Sequence, residues 1–122
     1  MRKQYYFRQS DRGLLAWDVD RLVELSRNLS RKQIRIDAIR ELDEPWSDDD
    51  GRTWRGIVEH IRLIHDANLS FPIILSADGS VMDGRHRVVK AVLEDREFIE
   101  AVQFEEDPLP DHVGVNPDEL HY

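Results

Sequence analysis

The chain contains no cysteine, no apolar run near the length of a membrane span, and too little positive charge to offset its acids. Without cysteine, disulfides, thiolate metal sites, thiol nucleophiles and cysteine redox chemistry are excluded. No stretch approaches the roughly 18 apolar residues a spanning helix requires. The opening residues, Met1 to Arg8, also lack the apolar core of a signal peptide, so a soluble cytoplasmic protein with no membrane partner is expected. Lys and Arg number 17 against 25 Asp and Glu, a formal net charge of −8 over 122 residues. That excess argues against an autonomous nucleic-acid binder, because neutralising phosphates takes a concentrated basic face. A small local anion site stays open. The length suits a single core, and 40% of the residues are hydrophobic.

What is present reads as alternating short elements. Residues 1–16 show no clean period and are taken as an N-terminal extension. Asp18 is placed to cap a helix running to about Asn28, with Asp20 in its first turn and Val19, Leu22, Val23 and Leu29 near helical spacing. Gln33 to Ala38 alternates strictly, which predicts a strand with Ile34, Ile36 and Ala38 on one face. Residues 41–52 combine turn formers with six acids, Glu41, Asp43, Glu44, Asp48, Asp49 and Asp50, and read as a solvated loop. Trp54, Ile57, Val58, Ile61 and Ile64 then form the most regular helical stripe in the chain, with Thr53 as N-cap and Asn68 as stop.

The run Phe71-Pro72-Ile73-Ile74-Leu75 predicts a strand buried on both faces. Asp78-Gly79 predicts a hairpin returning through Val81-Met82. Gly84 breaks that strand, and Val88, Val89, Val92 and Leu93 mark a second amphipathic helix. Phe98 to Phe104 is a final strand with Phe98, Val102 and Phe104 on one face. The Pro- and Asp-containing residues 105–122 read as an extended tail or an irregular wrap, not a separate domain.

The chemistry concentrates in Asp83-Gly84-Arg85-His86-Arg87. A strand ends, a glycine permits close backbone approach, and three basic or proton-donating side chains open a helix where free N–H groups and the positive dipole end already lie. Ordinary helices carry acids there, and such local violations are expected at functional sites. The physical expectation is a phosphate site: backbone N–H groups of residues 84–87 as cradle, Arg85 or Arg87 adding bidentate bonds, and His86 donating to oxygen or moving a proton. The competing reading pairs Arg85 and Arg87 with Asp83 or Glu94 and makes His86 a packing residue.

Residues 72–104, together with Gln33 to Leu42 and the helix from Thr53, resemble the ParB/sulfiredoxin superfamily over roughly residues 17–104. The comparable box is Gly-Glu-Arg-Arg in ParB, Gly-Cys-His-Arg in sulfiredoxin and Asp-Gly-His-His-Arg in the related free-serine kinases, and Asp83-Gly84-Arg85-His86-Arg87 is closest to the kinase form. The resemblance implies an α+β fold, a small mixed β-sheet flanked by helices. It implies binding of a nucleotide (ATP, ADP or CTP, with or without Mg²⁺) at Asp83, Gly84, Arg85, His86 and Arg87, and an activity as small-molecule phosphotransferase or NTPase. The kinase analogy implies a carboxylate base near the end of the first strand, for which Glu41 is best placed, with Asp43 and Glu44 behind it; the alternative for these acids is an exposed loop. The absent thiol excludes sulfinic-acid reduction. The 18 residues after Phe104 are too few for the DNA-binding region that follows this domain in ParB, so sequence-specific DNA binding by this chain alone is not expected. Two other readings stand beside the nucleotide one: a non-catalytic module that docks an anionic or protein partner, and a ParB-like nuclease.

For Asp83, helix capping is the first expectation, ahead of orienting Arg87 or meeting a metal bound with the nucleotide. Lys90 either reaches a phosphate or is solvated. His60 and His65, five apart, diverge around their helix and make no metal pair, and His112 and His121 show no ligand spacing. Asp48 to Asp50 lacks the rest of an EF-hand pattern, so no protein-built metal site is expected. Trp17 and Trp54 are packing residues, and Trp46 is the tryptophan placed to line a cleft.

Overall fold

The computed structural model describes residues 3–45 and 53–122; Trp46 and Asp48 to Asp50 lie outside them. These residues build a small α+β domain with two sheets and three α-helices. A four-stranded mixed sheet contains β3 (Lys32–Arg35), β4 (Ile73–Leu75), β5 (Val81–Asp83) and β6 (Phe98–Gln103) in the order β3-β6-β4-β5. β4 runs parallel to β6, while β3 against β6 and β5 against β4 are antiparallel. The continuous apolar run is thus an inner strand, and Ile73, Ile74 and Leu75 are all buried.

Alternation along β4 sends its side chains into two cores. Ile73 and Leu75 join Val88 and Ala91 of α3 (Arg85–Leu93), with Ile36, Ile39, Ile99 and Ala101. Ile74 joins Trp17, Leu22, Met82, Val102 and Phe104 on the other face, which is covered by α1 (Val19–Ser26) and a hairpin. Asp18 caps α1 as expected, accepting from Asp20 N at 2.9 Å. The turn between β4 and β5 is pinned by Asp78, whose carboxylate accepts from the Ser76 hydroxyl and from Ser80 N. These bonds, that from Ser76 foremost, hold its carboxyl well below the usual carboxylate range.

Several expectations are corrected. The single mixed sheet is joined by a second, antiparallel one, β1 (Tyr5–Ser10), β2 (Gly13–Asp18) and β7 (His112–Val113), in the order β1-β2-β7. Residues 5–16, read as aperiodic, are therefore mostly strand, and Tyr6 and Leu15 pack on the shared core. Of the two readings of residues 105–122, tail or wrap, the structure shows the wrap: Pro108 O accepts from Trp17 Nε1 at 2.8 Å and Asp111 accepts from Asp18 N at 2.8 Å. The strand expected to reach Ala38 ends at Arg35, because residues 36–38 turn into a short 3₁₀ helix that sends both Ile36 and Ile39 inward. In α3, Val88 and Ala91 are buried while Val92 and Leu93 are exposed.

The helix α2 (Trp54–Asp66) forms where its stripe predicts, with Thr53 Oγ1 accepting from Gly56 N at 3.0 Å. It packs by one edge of that stripe, through Ile64. Only Gly56, His60 and Ile64 are partly covered, whereas Ile57, Val58 and Ile61 are exposed and Trp54 is 90% exposed, so Trp54 is not a packing residue. Lys90 fixes the helix end, its ammonium donating to His65 O and Ala67 O at 2.7 Å each, which is neither of the roles read for it. No helix among the described residues is long and apolar enough to cross a membrane.

Candidate functional site

The β5-to-α3 junction is built around Gly84, which sits at φ 110° in the left-handed region and is the N-cap of α3. A side chain there is excluded twice over: by the backbone angle, and because a Cβ would lie 2.6 Å from Ile73 Cγ2 and 3.2 Å from a terminal nitrogen of Arg87. Among the described residues no side chain caps α3, so Asp83 does not play the capping role first expected of it. Its carboxylate instead accepts from Arg87 at 2.9 Å, with both side chains about four-fifths buried. The other terminal nitrogen of Arg87 donates to Pro72 O at 2.9 Å. Arg87 therefore ties the helix start to the beginning of β4, and three of its five N–H hydrogens stay available for a ligand.

Arg85, one position into the helix, is exposed. His86 is half-buried and turns towards α2, its ring 6.1 Å from that of His60. Burial first, then the neighbouring charge of Arg85 and the proximity of His60, push the His86 pKa below the ordinary histidine value. His86 is thus held towards its neutral form, able to accept a proton or to donate from one ring nitrogen.

Glu41 lies in a short 3₁₀ helix (Arg40–Asp43) after the buried Ile39. Its Oε2 accepts from Val81 N at 2.6 Å, which fastens it to β5 two residues before Asp83. Its Oε1 is buried with no hydrogen-bond partner among the described residues. Of the other acids read with it, Glu44 lies near the same cleft and both Asp43 and Glu44 are exposed.

A cleft of about 1080 Å³ joins these groups: Glu41 and the whole Asp83-to-Arg87 box line it together. Its remaining walls are the aromatic face of β1, the C-terminal end of α2 and Tyr122. The sequence reading missed Tyr5, Phe7 and Tyr122 as lining residues and His60 as a neighbour of His86. The signal for the first two was the Tyr5-Tyr6-Phe7 triplet; for Tyr122 and His60 there was none, since both depend on long-range packing.

A phosphate suits the donors present. The α3 start offers backbone N–H groups with no side-chain cap among the described residues, and guanidinium hydrogens from Arg85 and Arg87. Among the described residues no group of three or more His, Asp or Glu could hold a metal alone, so a Mg²⁺ here would depend on ligand oxygens. A scan against protein-family models and searches of curated proteins and of solved structures found no match.

Proposed function

We propose that this domain binds the phosphates of a nucleotide at Gly84, Arg85, His86 and Arg87, in the manner of the ParB/sulfiredoxin-like superfamily, and uses Glu41 in phosphoryl transfer or hydrolysis. The observation that carries this reading is the shared cleft, which is lined both by Glu41, with its buried carboxylate oxygen, and by a glycine-opened helix start over 40 residues away in sequence. Backbone N–H groups at the start of α3 hold phosphate oxygens, and Arg85 supplies charge-assisted bonds. Asp83 keeps Arg87 oriented so that its remaining hydrogens face the same oxygens. Glu41 accepts the proton of an attacking hydroxyl or water, a role worth about 10²–10⁴ in rate for a well-placed base. His86 donates to a phosphate oxygen. A bound Mg²⁺ would neutralise phosphate charge, with Asp83 the nearest protein carboxylate in the box.

The bond from Val81 N to Glu41 favours one other reading. There Glu41 is a clamp on β5, and the basic turn docks an anionic partner without turnover. Thermal denaturation with ADP, ATP and CTP separates the phosphate reading from no binding at all: protection that Arg85→Ala abolishes supports it, and no protection by any of the three refutes it. Nucleotide turnover then separates enzyme from docking module.

A further inference from the structure

We propose that the same cleft carries a separate subsite for a planar aromatic ring, formed by Tyr5, Phe7 and Tyr122, so that its ligand is a nucleoside phosphate held at both ends. The inference rests on the phosphate reading above and adds the other half of the ligand. Alternation along β1 places Tyr5 and Phe7 on one face, their ring centroids 6.1 Å apart, while Tyr6 turns to the core against Trp17 at 5.5 Å. Tyr5 is fixed from several sides: its ring meets Tyr122 edge-on at 5.3 Å and His112 at 5.9 Å, and its hydroxyl donates to His121 O at 2.8 Å. Tyr122 is 48% exposed, and all three residues line the cleft.

Rings held in this way lose little freedom when a flat ligand stacks on them, so the contact is preorganised. The cleft's 1080 Å³ is at the upper end of the roughly 300–1000 Å³ of small-molecule sites, far more than a phosphate group fills. Stacking is tolerant of base identity, because every base presents a π-face. The subsite therefore accepts purine and pyrimidine nucleotides with similar affinity. It also gives the hairpin and the 105–122 wrap, both outside the phosphate box, a part in binding.

The test is calorimetric titration of the full chain with ATP, CTP and inorganic tripolyphosphate, using wild type, Tyr122→Ala and Tyr122→Phe. ATP and CTP should each bind more tightly than tripolyphosphate by about 5- to 150-fold, the range one stacked base is worth. Tyr122→Ala should remove most of that advantage and leave tripolyphosphate affinity unchanged, Tyr122→Phe should keep it, and base protons of bound ATP should shift upfield in the wild type and in Tyr122→Phe but not in Tyr122→Ala. Equal affinity for ATP and tripolyphosphate in every variant overturns the ring subsite and leaves the phosphate reading standing. No binding of any ligand overturns both.

Discussion

Glu41 and Val81 meet across the domain at 2.6 Å, the backbone N–H of β5 donating to one carboxylate oxygen while the other is buried in the cleft wall. One bond thereby fixes both the path of β5 into the Gly84 turn and the position of the acid. Glu41→Gln keeps an oxygen for Val81 N and should leave the melting temperature within a few degrees. If Glu41 is the base, nucleotide turnover should fall by about 10²-fold or more with Kd little changed. Undiminished turnover assigns Glu41 to the clamp role only.

Gly84→Ala forces a Cβ into a left-handed residue and against Ile73. Urea denaturation should show a loss of about 1–3 kcal/mol from strain and overpacking together. Wild-type stability in this variant would contradict the tight approach of the turn to β4.

Arg85 and Arg87 should separate cleanly. Arg87→Ala leaves Asp83 and Pro72 O without their donor inside a mostly buried pair and should cost about 1–3 kcal/mol of stability. Arg85→Ala should cost less stability than Arg87→Ala, because Arg85 is exposed, where an ion pair is worth no more than about 1 kcal/mol. Its effect belongs on phosphate affinity, a loss of about 10-fold or more from one charge-assisted interaction. The reverse pattern would mean that Arg85 is the structural brace and that Arg87 holds the phosphate without it.

His86 gives a pH signature of known sign. Its folded pKa lies below the ordinary 6.5, so the unfolded chain takes up its proton first as pH falls. This group's contribution to stability is therefore complete above about pH 6.5 and declines as pH drops through the folded pKa. A bound phosphate reverses the bias by favouring the imidazolium, so tripolyphosphate affinity should rise as pH falls below neutral. NMR titration of the His86 Cε1 proton should show its pKa raised by tripolyphosphate. An unmoved pKa would place the anion elsewhere.

Much of the inner sheet was legible because its signals are local. Ile73-Ile74-Leu75 is a continuous apolar run, Asp78-Gly79 is turn chemistry, and the strand-glycine-helix succession at 81–88 needs no partner to be read. The strand-to-helix turn at Asp83 to Arg87 was legible for the same reason, whereas Glu41 became a candidate only through the resemblance to the kinases. The hairpin was not: Arg8 and Gln9 interrupt the alternation of β1, and its partner β2 is completed by His112 and Val113 from the far end of the chain. The period of α2 was legible but not how far the body covers it, since the contacting row Gly56, His60 and Ile64 takes in only Ile64 of the apolar stripe and leaves Trp54, Ile57, Val58 and Ile61 outside. The Asp83–Arg87 pair was legible as an alternative, but the local capping rule ranked ahead of it because the choice between them answers to Pro72 and the packing of β4.

The most direct test is a ¹H–¹⁵N NMR titration of the full chain with ATP, followed at the backbone amides. Shifts concentrated at residues 84–88, absent in Arg85→Ala at the same ATP concentration, are the predicted result. Saturating ATP, ADP and CTP that leave those amides unmoved would contradict a phosphate site at the start of α3.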